Sequence, residues 1–213
     1  MSVFRLPVSV ALAGAALAAT IGLVPLPASA ATKTWTITHG GTVTATTKNF
    51  TLDDLTTAET VSCGSSVVKA KLKSGKHLSG TGAGSLTSGS FNGCAILGFK
   101  ITVKAAHLPW HLNLVSYNSG KGVTTATMTG IHITLSVPSI GCTGVADGTG
   151  AAADNGVLQA TYTNKTGKLA TLKSGGKLRL YDVKNCDGVV SDGDSVALIA
   201  TYSVSPAQKI TSP

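Results

Sequence analysis

Residues 63–94, CGSSVVKAKLKSGKHLSGTGAGSLTSGSFNGC, decide the fold because they hold the clearest strand of the chain inside a frame of two cysteines. Within them, residues 68–73 alternate between apolar side chains and lysines. Successive side chains of a β-strand point to opposite faces of a sheet. The alternation therefore predicts a strand with an apolar face for the core and an opposite face carrying Lys69, Lys71 and Lys73.

A second, longer stretch, residues 142–186, is also bounded by cysteines. All four cysteines follow a predicted export signal, and thiols oxidise outside the cytoplasm. Four cysteines allow three disulfide connectivities. The internal repeat described below favours Cys63 with Cys94 and Cys142 with Cys186. The chain has no CxxC pair and no cluster of Cys and His, so zinc ligation by these cysteines is disfavoured.

Alternation of period two recurs along the rest of the chain, as in residues 97–104, 131–135 and 196–204, and no stretch shows a sustained helical repeat. Between the strands lie KSGK, NSGKG, DNG, NKTGK and KSGGK, whose Gly, Asn and Asp tolerate the positive φ of tight turns. We treat residues 52–60, LDDLTTAET, as a loop. These patterns predict an all-β fold, an antiparallel β-sandwich held by disulfides.

The two cysteine-bounded stretches belong to what we interpret as two related halves, residues 33–118 and 121–213. GTVTATT at residues 41–47 is echoed by GVTTATM at residues 122–128. Lys76 and Lys168 lie at the same distance before Cys94 and Cys186. A chain rich in Thr, Ser, Gly and Lys also produces such matches without duplication, so a single undivided β-rich domain over residues 31–213 is the alternative.

Residues 1–30 have the features of a secretory signal peptide: one charge at Arg5, an apolar run at residues 8–24, and small residues before a cut after Ala30. The remaining chain has no further segment long and apolar enough to span a bilayer. The formal charge is +8, and 43% of residues are hydrophobic. Basic residues predominate up to residue 135, whereas most carboxylates follow it. We predict an exported, basic, extracellular protein.

The lysines suggest a partner of opposite charge. Six of them on predicted strands and turns could form a basic patch: Lys69, Lys71, Lys73, Lys76, Lys100 and Lys104. Such a patch suits an anionic cell-wall polymer or glycan. The alternative is that these lysines are the solvent side of an amphipathic sheet and protect an exposed edge. Nucleic acid is disfavoured, because aromatic residues do not interleave with the lysines. The sequence does not indicate an oligomeric state.

Other candidate sites are weaker. His107 and His111 flank Leu-Pro-Trp, but Pro109 disturbs their geometry, so we interpret them as polar neighbours of a buried Trp110 rather than as metal ligands. No nucleophile elbow, triad or pair of catalytic carboxylates is evident, and we predict no enzyme activity, no cofactor and no metal. An apolar small-molecule cleft near Trp110 is the alternative function, and a secreted hydrolase is a more distant one.

GSLTSGSF at residues 84–91, residues 97–136 and the ending ATYSVSPAQKITSP together resemble a group of uncharacterised secreted proteins of filamentous actinobacteria. The resemblance covers most of the chain after the signal peptide. It implies export and a Gram-positive origin. It implies no activity, ligand or binding residue.

Overall fold

The computed structural model describes residues 33–213, and the predicted signal peptide, residues 1–30, lies outside them. Sixteen β-strands make up the described chain, and no helix occurs within it. In order they are β1 (Thr34–Thr38), β2 (Gly41–Thr47), β3 (Phe50–Asp54), β4 (Thr60–Leu72), β5 (Gly75–Ser79), β6 (Gly84–Ile96), β7 (Phe99–Lys100), β8 (Thr102–Ala106), β9 (Trp110–Asn118), β10 (Val123–Val137), β11 (Cys142–Asp147), β12 (Gly156–Thr163), β13 (Lys168–Thr171), β14 (Arg179–Lys184), β15 (Val196–Ser205) and β16 (Lys209–Thr211).

The predicted all-β, antiparallel and disulfide-linked architecture is confirmed. Strand β12 shows its physical basis most simply, because its residues alternate strictly between buried and half-buried positions. This is the pattern of a strand with one face on a core. The segment at residues 52–60 is not only a loop, since its first three residues complete β3 and its last begins β4.

Four long strands, β4, β6, β10 and β15, organise a sheet of thirteen strands. The first part of β10 pairs with β9 and β12, and its last part pairs with β8 and β11. From β12 the pairing continues through β13, β15, β2, β4, β6 and β9 back to β10. This path is a closed ring of strands.

A second closed path shares the same four strands. It leaves β10 through β11 and β14 and returns through β15, β3, β4, β6 and β8. The link from β14 to β15 is a single bridge between Arg179 and Ser195. Each of the four strands β4, β6, β10 and β15 therefore contributes to both rings, which accounts for its length.

The core has a main cluster inside these paths and a smaller one beneath the three-stranded sheet β16-β1-β5. In the smaller cluster, Trp35, Ile37 and Ile210 come from the three-stranded sheet and pack with Leu114 and Ala126 of β9 and β10. Burial of such apolar side chains contributes roughly 25 cal/mol per Å² removed from water. The three-stranded sheet thus closes over the first ring.

The predicted disulfide pairing is confirmed. Cys63 and Cys94 lie directly opposite each other on the neighbouring strands β4 and β6. Cys142, at the start of β11, bonds Cys186, which follows β14. The Cys63–Cys94 disulfide therefore reinforces an existing strand pair, whereas the Cys142–Cys186 disulfide links the connection between β14 and β15 to the start of β11.

Candidate functional sites

The lysine face is the outer surface of the central strands β4, β6 and β8, bearing Lys69, Lys71 and Lys104. Lys69 lies opposite Thr44 of β2 and Ser88 of β6. Lys104 of β8 lies opposite Ser90 of β6, two residues further along that strand. Because neighbouring strands are about 4.8 Å apart, the ammonium groups share one continuous surface.

The structure separates the six predicted lysines into two groups. Lys73 immediately follows β4, and Lys100 lies on β7 opposite Ala95 of β6, so both continue the lysine face. Lys76 lies on β5, in the three-stranded sheet. All six lysines are exposed. The structure therefore places five of the six predicted lysines on one sheet surface.

Hydroxyl groups fill the positions between these lysines. Thr42 and Ser85 lie opposite Lys71, and beyond β2 the surface continues to Ser203 and Ser205 of β15. Lys168 of β13 extends it further, because its Nζ donates a hydrogen bond to Ser203 Oγ at 2.7 Å. Sequence analysis did not include Lys168 in the patch. The strand that carries Lys168 is too short to show a clear alternation of apolar and polar residues. Only the β13–β15 pairing shows that Lys168 lies beside the lysine face.

No carboxylate neutralises this surface within residues 33–213. Every ion pair of the described chain involves histidine and aspartate elsewhere. In addition, β4 is a central strand with partners on both sides, so Lys69 and Lys71 do not protect an exposed edge. Without a partner, the lysines could be explained as the solvent side of an amphipathic sheet or as protection of an exposed edge. Only the first of these explanations applies to Lys69 and Lys71.

Trp110, the centre of the alternative small-molecule hypothesis, is buried. Only 3% of it is exposed, it packs within the main core cluster, and its Nε1 donates to the carbonyl of Ala106 at 3.0 Å. An apolar cavity of about 80 Å³ lies elsewhere, near the Cys142–Cys186 disulfide. The exposed side chains Leu97, Phe99 and Ile140 line it.

His107 contacts two other titratable side chains, but both lie far from it in the sequence. It follows β8, and its Nδ1 is 2.5 Å from Asp154 Oδ1 in the connection between β11 and β12. The same Asp154 oxygen is 3.0 Å from Nδ1 of His132 on β10. The two imidazole rings stack with centroids 3.9 Å apart. His111, which flanks Leu-Pro-Trp with His107 in the sequence, lies on β9 outside this cluster.

Asp147, at the end of β11, fixes the loop that carries Asp154. Its Oδ1 accepts hydrogen bonds from the backbone N–H groups of Gly148, Asn155 and Gly156, and its Oδ2 accepts one from Asp154. Burial acts to raise the pKa of this carboxyl, but these hydrogen bonds, with that from His132, outweigh burial and lower it. Asp147 is therefore an ionised, fully buried anchor.

The aspartates near Cys186 have structural roles. Asp192 Oδ1 accepts a hydrogen bond from Val183 N at 2.8 Å, and Asp194 Oδ2 accepts one from Ser191 N at 2.7 Å. Side-chain to backbone bonds of this kind are characteristic of turns. The segment folds as a turn beside the second disulfide.

No family model, curated protein or solved structure matches this chain. Among the described residues, no helix has the length and apolar character needed to cross a membrane. Two disulfides, with no free cysteine in the described chain, accord with an extracellular environment. The site geometry is thus the basis for any functional assignment.

Proposed function

We propose that this protein is exported and binds an anionic cell-wall polymer or glycan, without catalysis, through the lysine face. One observation carries the proposal: Lys69, Lys71, Lys73, Lys100 and Lys104 share a sheet surface with hydroxyl groups between them, and within residues 33–213 none of these lysines forms an ion pair with a carboxylate. Like charges at alternate positions of one strand, such as Lys69 and Lys71 of β4, repel one another. A polyanion relieves that repulsion, whereas water and salt only screen it.

The arrangement suits a repeating polymer better than a compact ligand. The surface is a sheet rather than a cavity, and its lysines extend over several strands. Ser and Thr hydroxyls between the ammonium groups both donate and accept hydrogen bonds, so they can contact phosphate oxygens or sugar hydroxyls. Lys binds phosphate as a mobile point charge, which tolerates variation in polymer geometry.

The small-molecule alternative has less support. Trp110 packs inside the core, so it lines no cleft. The apolar cavity of about 80 Å³ near the second disulfide is below the roughly 300 Å³ typical of ligand pockets. We therefore assign function to the outer surface.

The proposal is tested by reversing the charge of Lys69, Lys71 and Lys73 to Glu and measuring retention on purified Gram-positive cell walls. Each lysine near an anionic surface contributes about 1 kcal/mol, so we expect retention to weaken by about tenfold or more. Wild-type retention should also fall as salt is raised, because added ions screen the lysines. Walls stripped of phosphate polymers distinguish a phosphate ligand from a glycan.

The matched control reverses Lys173, Lys177 and Lys184, which are exposed and lie outside the lysine face. This variant has the same net charge as the first. If the two variants bind equally, net charge rather than the lysine face governs retention, and the proposal is wrong. Unchanged binding by the first variant also refutes it.

A further inference from the structure

We propose that His107, His132 and Asp154 bind one divalent transition-metal ion, of the class of Zn²⁺. The three residues come from the end of β8, from β10 and from the β11–β12 connection. Their ligand atoms all lie within 4.8 Å of one another. The fold thus brings together three separate segments, which is how protein metal sites are commonly built.

The distances lie below those of a first-row metal site by less than about 1 Å. Zn–N and Zn–O bonds of about 2.0–2.1 Å in a tetrahedral site place ligand atoms roughly 3.3 Å apart. Asp154 Oδ1 lies 2.5 Å from His107 Nδ1 and 3.0 Å from His132 Nδ1. A small expansion of this triangle makes room for an ion. His107 can supply that movement, because its side chain is 51% exposed.

The charges also favour a cation. Asp147 Oδ2 and Asp154 Oδ1 approach the same nitrogen, His132 Nδ1, at 3.1 and 3.0 Å. Two carboxylates that contact the same nitrogen repel each other, and a positive charge at that nitrogen, whether a proton or a metal ion, relieves the repulsion. Within residues 33–213, no Lys or Arg forms an ion pair with either aspartate. A divalent ion beside His132 Nδ1 balances the negative charges of both aspartates.

The donor set selects the kind of metal. Two imidazole nitrogens with one carboxylate oxygen are typical ligands of Zn²⁺, Cu²⁺ and Ni²⁺, whereas Ca²⁺ and Mg²⁺ prefer oxygen ligands throughout. The side chain of His132 is 5% exposed and that of Asp154 is 47% exposed, so the site has a buried side and an open side. Water or a ligand atom of a partner can complete the coordination.

Asp147 acts as a positioning residue in this site. It anchors the backbone of Asp154 and Asn155, and its Oδ2 contacts the His132 ring. A metal ion on His132 Nδ1 takes the place of a proton between this nitrogen and Asp147, so Asp147 positions the site through the backbone of the loop that carries Asp154. This role is independent of the lysine face, so failure of the metal proposal leaves the polymer-binding proposal standing.

The test is isothermal titration of ZnCl₂ into the chelator-treated, disulfide-intact chain. We expect one saturable site, with affinity reduced by about tenfold or more in His107→Ala and in Asp154→Asn. Both side chains are about half exposed, so neither substitution empties a core position. Zinc should also raise the unfolding temperature of the wild type and not of the two variants.

His77→Ala is the matched control, because His77 is an exposed histidine on β5. It should bind zinc as the wild type does. Co²⁺ in place of Zn²⁺ reports coordination directly through its visible absorption. Absence of saturable binding overturns the proposal. Binding that both variants retain, or that His77→Ala loses to the same degree, also overturns it.

Discussion

At the scale of single residues, Asp147 has the largest set of contacts of any carboxylate described in the chain. One side chain with no solvent exposure accepts four backbone hydrogen bonds and a contact from His132. Hydrogen bonds to a charged group are each stronger than neutral ones, by about a factor of two. The loop following β11 therefore depends on the charge of Asp147.

Substitution Asp147→Asn tests this dependence. The amide oxygen can still accept from Gly148 and its neighbours at the Oδ1 position, but the amide NH₂ then faces the N–H of Asp154, so two donors oppose each other. We expect the free energy of unfolding to fall by about 2 kcal/mol in denaturant titrations. Asp182→Asn, at an exposed position on β14, is the control and should have little effect. Equal effects would contradict the role of Asp147.

The charge of Asp147 also predicts a pH dependence. Its pKa is lower in the folded chain than the unfolded value of about 3.9, so ionisation stabilises the folded state. That contribution is fully present above about pH 4 and is lost as the pH falls through the folded pKa. The wild type should therefore lose more stability on acidification than Asp147→Asn does.

At the scale of elements, the long strands tie the two sequence halves together. Strands β2 and β3 pair with β15, and β8 and β9 pair with β10. In each case one partner lies before residue 118 and the other after residue 121. The hypothesis of a duplicated ancestor remains a prediction, but the two halves share one sheet.

A fragment of residues 33–118 should therefore not fold alone. Its strands β2, β3, β8 and β9 would each lose a neighbour, leaving backbone N–H and C=O groups without partners. We expect a poorly dispersed amide NMR spectrum even with the Cys63–Cys94 disulfide formed, and a gain of structure on mixing with residues 121–213. A cooperative unfolding transition of the isolated fragment would contradict this expectation.

Sequence alone predicted the all-β class, the disulfide pairs and most of the lysine face, because each depends on local alternation or on chain spacing. The His107 site was missed, since its partners come together only through strand register. One signal was present: a hairpin centred on PSIG, residues 138–141, puts His132 opposite Asp147. The observed pairing of Ile133 with Ala146 follows that register. Asp154 had no comparable signal, because its position depends on a loop.

At the scale of the whole molecule, the two disulfides accord with export through the predicted signal peptide. Cleavage after Ala30 removes Arg5, which leaves a formal charge of +7 on the basis of the +8 of the full chain. The secreted protein should therefore begin at Ala31, as determined by mass spectrometry of its intact N-terminal peptide. An intact N-terminus at Met1, with the protein retained in the cell, would refute export by this signal.

The closed strand paths also limit the ways in which copies of this protein can associate. Exposed strand edges are templates for aggregation, because their free backbone groups can pair with another chain. In residues 33–213, pairing continues around both rings, and the edges of the small sheet are β16, with three residues, and β5, which carries Lys76. This strand pairing leaves few free edges for fibril formation, even at the high local concentration that binding to the proposed polymer would produce.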